Sequence, residues 1–179
     1  EIALSKIQES TTRIASVFYL DNTPLHVQYI IDGDEISVIE FAPRVGGGIS
    51  YKNIKSNTGY DIISATIDSY LQKPVDVQYQ RSNRYFSVNL AYGVPATFHH
   101  LTGIEHLLNE GVVDSIHYHK NPGSVITDDR ASGGRIAAIL ISGNSRQEVL
   151  DKVRITFESM DAFDPKGNQI LRKDLYIKK

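Results

Sequence analysis

Residues 136–141, Ile-Ala-Ala-Ile-Leu-Ile, are the longest wholly apolar run in the chain. They limit its fold more than any other segment. Six residues are about a third of the ~18 a membrane-spanning helix needs, and they match the length of a strand buried on both faces. Ser145-Arg146-Gln147-Glu148 follows directly. Ser with Glu three positions later is a capping box, so a helix is expected there, with Val149, Leu150, Val153, Phe157 and Met160 on one face. A buried strand leading into an amphipathic helix points to layers of sheet and helix.

The rest of the chain agrees with that class. Residues 12–19, 25–31 and 36–41 are strand-like, with Asp21-Asn22-Thr23-Pro24 and Asp32-Gly33-Asp34 as turns, and together they predict an antiparallel meander. Pro43 to Gly48 reads as a flexible loop. Thr58 with Asp61 three residues on predicts a helix start, and Tyr60, Ile63, Ile67, Tyr70 and Leu71 recur at helical spacing up to Pro74. Residues 72–83 look like a linker or crossing segment. Beyond them the pattern predicts strands at 85–92, 112–119 and 135–142, a short helix at 104–109 ended by Gly111, and a last hairpin or edge strand at 168–177. The expected class is α+β, or mixed α/β with mostly antiparallel strands, divided as 1–72 and 73–179.

Composition narrows function. The 179 residues are 41% hydrophobic and 22% charged, and 19 Lys+Arg against 21 Asp+Glu leave a net charge of −2. This is ordinary globular composition, enough for one domain or two small ones without disulfide or metal staples. With no basic excess, neither nucleic acid nor an anionic membrane is an expected partner. The chain has no Cys, so thiolate zinc sites and thiol nucleophiles are ruled out, and the cytoplasm is the expected compartment. The first residue is Glu1, already in the register of a helix or strand, and the sequence reads as the carboxy-terminal part of something larger.

The chemistry concentrates between residues 28 and 61. Glu40 is a carboxylate in the otherwise apolar segment Ile36-Ser37-Val38-Ile39-Glu40-Phe41. If Gly33-Asp34-Glu35 is a three-residue hairpin loop, Asp32 lies opposite Ile36, and Gln28 opposite Glu40. Opposed residues share a face with Cβ atoms about 4.5–5.5 Å apart. A carboxylate and an amide oxygen would then converge, a hard donor pair suited to Mg²⁺ whose shell substrate phosphates complete. Arg44 offers a planar fork for phosphate or carboxylate, and Gly46 and Gly47 let backbone approach a ligand. The structural alternative is a Glu40–Arg44 ion pair beside a plain loop.

Ile39-Glu40-Phe41-Ala42-Pro43-Arg44-Val45-Gly46-Gly47 resembles the Glu-x-Asn-Pro-Arg-x-x-Gly motif of the ATP-grasp superfamily. That superfamily includes biotin carboxylase, the large subunit of carbamoyl-phosphate synthetase and amino-acid ligases. Thr58-Gly59-Tyr60-Asp61-Ile62-Ile63 resembles the Thr-Gly-x-Asp-Leu signature that follows in the same family, and Gln28 stands near the spacing of its first metal-binding acid. The match covers about residues 12–72, and the remainder resembles the carboxy-terminal lobe of such ligases. The expected fold is therefore the C-terminal part of an ATP-grasp domain followed by that lobe.

The resemblance implies ATP and Mg²⁺ as cofactors. Glu40 and Gln28 would be metal ligands, Glu40, Arg44, Gly46 and Gly47 would contact the nucleotide, and Arg44 would hold the transferred phosphoryl group or acyl phosphate as the catalytic residue. Residues 46–50 would line the acceptor site. The implied reaction activates a carboxylate with ATP and passes it to an amine, so both are expected small-molecule partners, along with N-terminal lobes of the same polypeptide and a homodimer mate. The sequence departs from the motif at Ala42, where the family has a metal-binding Asn, so a second Mg²⁺ must be held differently or more weakly. The family's adenine-binding lysines and lid lie upstream of these motifs, so this stretch alone is expected to bind ATP poorly and catalyse nothing. The competing functions are a phosphoribosylamine–glycine ligase-like purine enzyme and a non-catalytic binding or dimerising module.

Other residues carry less. His117 and His119 share a strand face, and His99-His100 lies nearby in sequence, but spacing fixes no third ligand, so structural or surface histidines are the expectation. Asp128-Asp129-Arg130 with Gly133-Gly134 reads as a solvated turn or a gating loop. The ten tyrosines are scattered, Ser124 and Ser132 lack a nucleophile elbow, and no Walker-type loop is present.

Overall fold

The computed structural model describes residues 2–128 and 132–176. The chain divides into two compact units, Glu1–Gln80 and Arg81–Lys179.

The first unit opens with helix α1 (Ile2–Val17), where the residues 12–19 were expected to form a strand. The half-buried positions 3, 6, 7, 10, 11, 14 and 15 recur at helical spacing. Tertiary packing of that stripe outweighs the β-branched residues near its end, Thr11, Thr12, Ile14 and Val17. Thr11 meets Tyr29 hydroxyl to hydroxyl at 2.8 Å, and Phe18 packs on Phe41 with ring centroids 4.8 Å apart. The antiparallel hairpin that α1 contacts is β1 (His26–Asp32) with β2 (Glu35–Ala42). The expected meander is thus a two-stranded hairpin.

The hairpin loop is shorter than the sequence suggested. Asp32 pairs with Glu35 and Ile31 with Ile36, so the turn is the two residues Gly33 and Asp34, with Gly33 at φ +58°. An extra residue, Ile39, bulges out between the pairs Tyr29–Val38 and Gln28–Glu40. One residue fewer in the turn and one more in the bulge cancel, so Gln28 still stands opposite Glu40, for a reason the sequence did not show.

After residues 43–49 comes a helix absent from the sequence reading, α2 (Ser50–Thr58). Thr58 therefore ends a helix and does not begin one. Gly59, at φ +71°, donates its N–H to Lys55 and turns the chain in the left-handed region that favours glycine. Helix α3 (Ile62–Tyr70) starts at Asp61, whose carboxylate accepts from the Ser64 N–H.

The second unit holds the core. Strand β8 (Arg135–Gly143) lies between β3 (Tyr85–Tyr92) and β6 (Ser115–Tyr118), and both pairings are antiparallel. Every residue of β8 after Arg135 is buried, which is why its sequence is continuously apolar. Strand β6 is shorter than the expected 112–119, because the N–H groups of Val112 and Val113 are drawn to the Leu107 carbonyl at the end of α4 (Ile104–Asn109). Two small pairs, β4 (Ala96–Thr97) with β7 (Val125–Ile126) and β5 (His100–Thr102) with β9 (Asp161–Phe163), complete the strands.

Helix α5 (Arg146–Ser159) begins as the capping box required. Ser145 Oγ accepts from the Glu148 N–H at 3.1 Å, while Glu148 reaches back to the N–H of Asn144 at 2.7 Å. Val149 and Phe157 of α5 join Ile139, Ile141, Phe98 and Leu107 in one cluster. The expected strand at 168–177 is replaced by the isolated bridges Gly93–Leu171 and Phe163–Gln169 and a 3₁₀ turn at Lys173–Leu175; Ile177 lies outside the described residues. The architecture is α+β, with small antiparallel sheets and five α-helices among the described residues.

Candidate functional site

The candidate site lies on the hairpin of the first unit. In β1 the side chains alternate without interruption from His26 to Asp32, so His26, Gln28 and Ile30 share one face. Val27 and Tyr29 take the other face, the one that meets α1 through Tyr29 and the following Phe18 through Phe41. Glu40 pairs with Gln28, and Ala42 with His26, so both stand on the same face as their partners. Gln28 and Glu40 are exposed. Among the described residues Glu40 makes no ion pair, so its carboxylate is open to a ligand.

Arg44 lies two residues beyond β2. Its backbone N–H donates to the Ala42 carbonyl at 2.8 Å, and its Nη1 donates to the Val45 carbonyl at 2.9 Å. The alternative Glu40–Arg44 ion pair is therefore not formed. Gly46 is half-buried, and a Cβ there would stand 3.0 Å from His26 Nδ1 and 3.2 Å from Ser50 Oγ. Ser50 in turn donates to the Gly46 carbonyl at 2.6 Å. Gly47 is exposed, with open space where a Cβ would be. The glycine at 46 thus admits a close approach, while position 47 has room for a side chain.

Thr58, Gly59 and Asp61 are bonded to the two helices and the turn that joins them. Thr58 Oγ1 donates to Ile54 and accepts from the Tyr60 N–H, and Lys55 pairs with Asp61 at 2.6 Å. The Lys55 ammonium, then the Ser64 N–H, hold the Asp61 carboxyl below the usual carboxylate range. The Thr-Gly-x-Asp segment is therefore a helix–turn–helix joint, and the structure does not bring its side chains to Gln28 and Glu40. A cleft of about 270 Å³ in this unit is lined by Asn22, Pro24, Tyr60, Thr66 and Val77 among others, and by none of the predicted site residues.

His26 is the residue at this site that sequence reasoning missed. Its signal was available, since it lies two positions before Gln28 and so on the same strand face. The other histidines do not assemble. His99 and His100 face each other at 2.7 Å between Nδ1 atoms, with His100 stacked on Phe163. Burial, aided by Arg135 and Lys120, pushes the His119 imidazole below its ordinary value. Among the described residues no three His, Cys, Asp or Glu side chains form a metal cluster, and no helix is long and apolar enough to cross a membrane. Of the proposed gating loop, Asp129 and Arg130 lie outside the described residues.

For a divalent cation the chain offers one carboxylate, Glu40, and one amide, Gln28, side by side and exposed. That donor set fits a hard cation that takes one or two protein groups and completes its shell with water and phosphate oxygens.

No protein-family profile matches the chain, and no curated protein does. Solved structures do. The L-amino acid ligase of Bacillus licheniformis aligns over 92% of this chain and 41% of its own, with a TM-score of 0.78 at 22% identity. The phosphoribosylglycinamide synthetase of Anaerococcus prevotii aligns over 91% and 42%, with a TM-score of 0.73 at 14% identity. The biotin carboxylase domain of Hydrogenobacter thermophilus 2-oxoglutarate carboxylase, solved with MgADP and bicarbonate, aligns over 86% and 34%, with a TM-score of 0.60 at 15% identity. This chain thus spans about two-fifths of the length of the first two of these enzymes. Its fold is the one that a portion of each of these enzymes adopts.

Proposed function

We propose that this chain is the phosphate- and metal-binding part of an ATP-dependent carboxylate–amine ligase that works through an acyl phosphate, and that further lobes of the same polypeptide supply the rest of the nucleotide site. The observation that carries the reading is the Gln28–Glu40 pair on one exposed strand face, with Arg44 and the glycine loop following at the end of the same hairpin. The fold shared with ligases supports it.

In this reading Glu40 and Gln28 would hold Mg²⁺, which would supply charge neutralisation for phosphoryl transfer to the carboxylate. Arg44 holds the transferred phosphoryl group. Its Nη1 bond to Val45 is a single neutral acceptor, which a phosphate oxygen displaces in favour of a charge-assisted pair. Gly46, Gly47 and their neighbours to residue 50 border the acceptor, with Ser50 fixing the loop through Gly46. The compartment that suits such an enzyme is the cytoplasm, and a homodimer is its proposed assembly.

The second reading, a non-catalytic module, is favoured by the methyl group of Ala42 where a third oxygen donor would serve the metal. Glu40→Ala in the polypeptide that carries all lobes separates the two. The ligase reading expects amino-acid-dependent phosphate release from ATP to fall by roughly 100-fold or more, the scale on which charge-stabilising groups act. Unchanged turnover supports the module. For the chain by itself, titration calorimetry with ATP–Mg²⁺ should show only weak binding, and micromolar affinity would refute the need for further lobes.

A further inference from the structure

We infer that His26 supplies the donor that Ala42 cannot, so that the cation on this hairpin meets one imidazole nitrogen beside the Glu40 and Gln28 oxygens. The inference rests on the metal-site reading above and deepens it, because it names the metal class. His26 is the direct cross-strand partner of Ala42, and the pairs His26–Ala42, Val27–Phe41 and Gln28–Glu40 run without a break, the bulge falling beyond them. The imidazole therefore rises from the same face as the two oxygen donors. It sits two residues along the strand from Gln28, a spacing of roughly 7 Å between Cα atoms, which two flexible side chains close around one ion.

The ring is half-buried, and among the described residues it has no hydrogen-bond partner. It lies under the glycine loop, close enough that any side chain at position 46 would press on it. Gly46 thus keeps room for a ring whose nitrogens are unused. Mg²⁺ keeps an oxygen shell, whereas imidazole favours first-row transition ions. A site with one nitrogen donor shifts preference from Mg²⁺ toward first-row transition ions, among which Mn²⁺ tolerates the oxygen-rich remainder of the shell best.

The test uses Mn²⁺ alone as the probe. Loss of the free-ion paramagnetic signal measures binding, and pulsed electron paramagnetic resonance reads ¹⁴N coupling from a directly bound ring. The expected result is bound Mn²⁺ with ¹⁴N coupling. His26→Ala should abolish the coupling and weaken Mn²⁺ binding about tenfold or more, the scale of a disturbed metal shell. His26→Gln keeps bulk under the loop and should keep binding while losing the coupling. Ala42→Asn added to His26→Ala should restore binding without the nitrogen signal and with Mg²⁺ competing better. If Mn²⁺ is released by Glu40→Ala yet shows no ¹⁴N coupling, or a coupling that survives both His26 substitutions, the His26 inference falls and the Glu40 site stands. If Mn²⁺ does not bind, or binds equally to Glu40→Ala, the metal-site reading itself falls.

Discussion

The two units spend their apolar residues differently. Of the described hydrophobic side chains that are buried, Ile49 alone belongs to Glu1–Gln80, and all the others lie in Arg81–Lys179. The second unit closes a core around β8. The first unit carries the candidate site but leaves Ile30, Ile31, Val38 and Ile39 of its hairpin exposed, along with Ile63 and Ile67 of α3. A two-stranded hairpin is marginal in water without more strands or a covering layer. The contrast teaches that the motifs proposed to bind ligand and the residues which close the core belong to separate regions. It also supports further protein packing on the first unit, as the ligase reading requires.

The largest expected effect tests where stability resides. Phe157 is fully buried and stacks on Tyr176 with ring centroids 3.6 Å apart. Phe157→Ala should cost about 3–5 kcal/mol, seen as a lower urea midpoint for the second unit. Val38→Ala, at a residue 43% exposed, should cost well under about 1 kcal/mol. Equal losses would mean that the hairpin is covered in solution by a surface the chain itself provides or by a second copy.

What the sequence revealed follows the same division. In the second unit, 104–109 and the continuous apolar run of β8 were legible to within a residue, because a buried strand and a packed helix leave uninterrupted patterns. Ser145 and Glu148 were legible because capping is local chemistry. In the first unit the pattern is weaker, since few side chains are deeply buried. Helix α1 was hidden because its stripe starts near residue 3, while its end is rich in Thr, Ile and Val. Helix α2 was hidden by Asn53, Asn57 and Lys55, which give no apolar period. The pairing of Gln28 with Glu40 was legible, but the bulge at Ile39 that produces it was not. His26 was overlooked because motif comparison looks along the chain, whereas the neighbour of Ala42 stands across the sheet.

A middle-sized effect sharpens the contrast through glycine. Gly103 has φ +81°, and a Cβ there would lie 2.4 Å from the Ser159 carbonyl oxygen, a backbone atom that cannot step aside. Gly33 also has a positive φ, +58°, but nothing lies within 4 Å. Both substitutions to Ala meet the left-handed penalty of about 1–2 kcal/mol. Gly103→Ala adds a clash in the packed unit and should cost about 1–3 kcal/mol more. Thermal melts of the two variants check the difference. If Gly33→Ala proves as costly as Gly103→Ala, the hairpin turn is as tightly determined as the core.

The smallest expected effect is at high pH. The Tyr176 phenol donates to the Leu90 carbonyl, and burial first, with the charge of Tyr92 second, pushes its pKa up to about 12. An unfolded tyrosine ionises near about 10. Between these values the unfolded chain has lost a proton that the folded chain keeps, so stability falls as pH rises. Below about 10 the contribution is fully present, and it is gone once the pH passes the folded value. Unfolding of the second unit monitored from pH 8 to 12 should therefore lose stability above pH ~10, and Tyr176→Phe should flatten that loss. In the first unit the Tyr29 hydroxyl meets Thr11 at 2.8 Å and donates to the Ile7 carbonyl at 3.4 Å, against a helix that has no fully buried residue. If Tyr176→Phe leaves the alkaline limb as steep as before, the Tyr176 phenol is not held inside the core, and the contrast between a closed second unit and an open first unit loses that support.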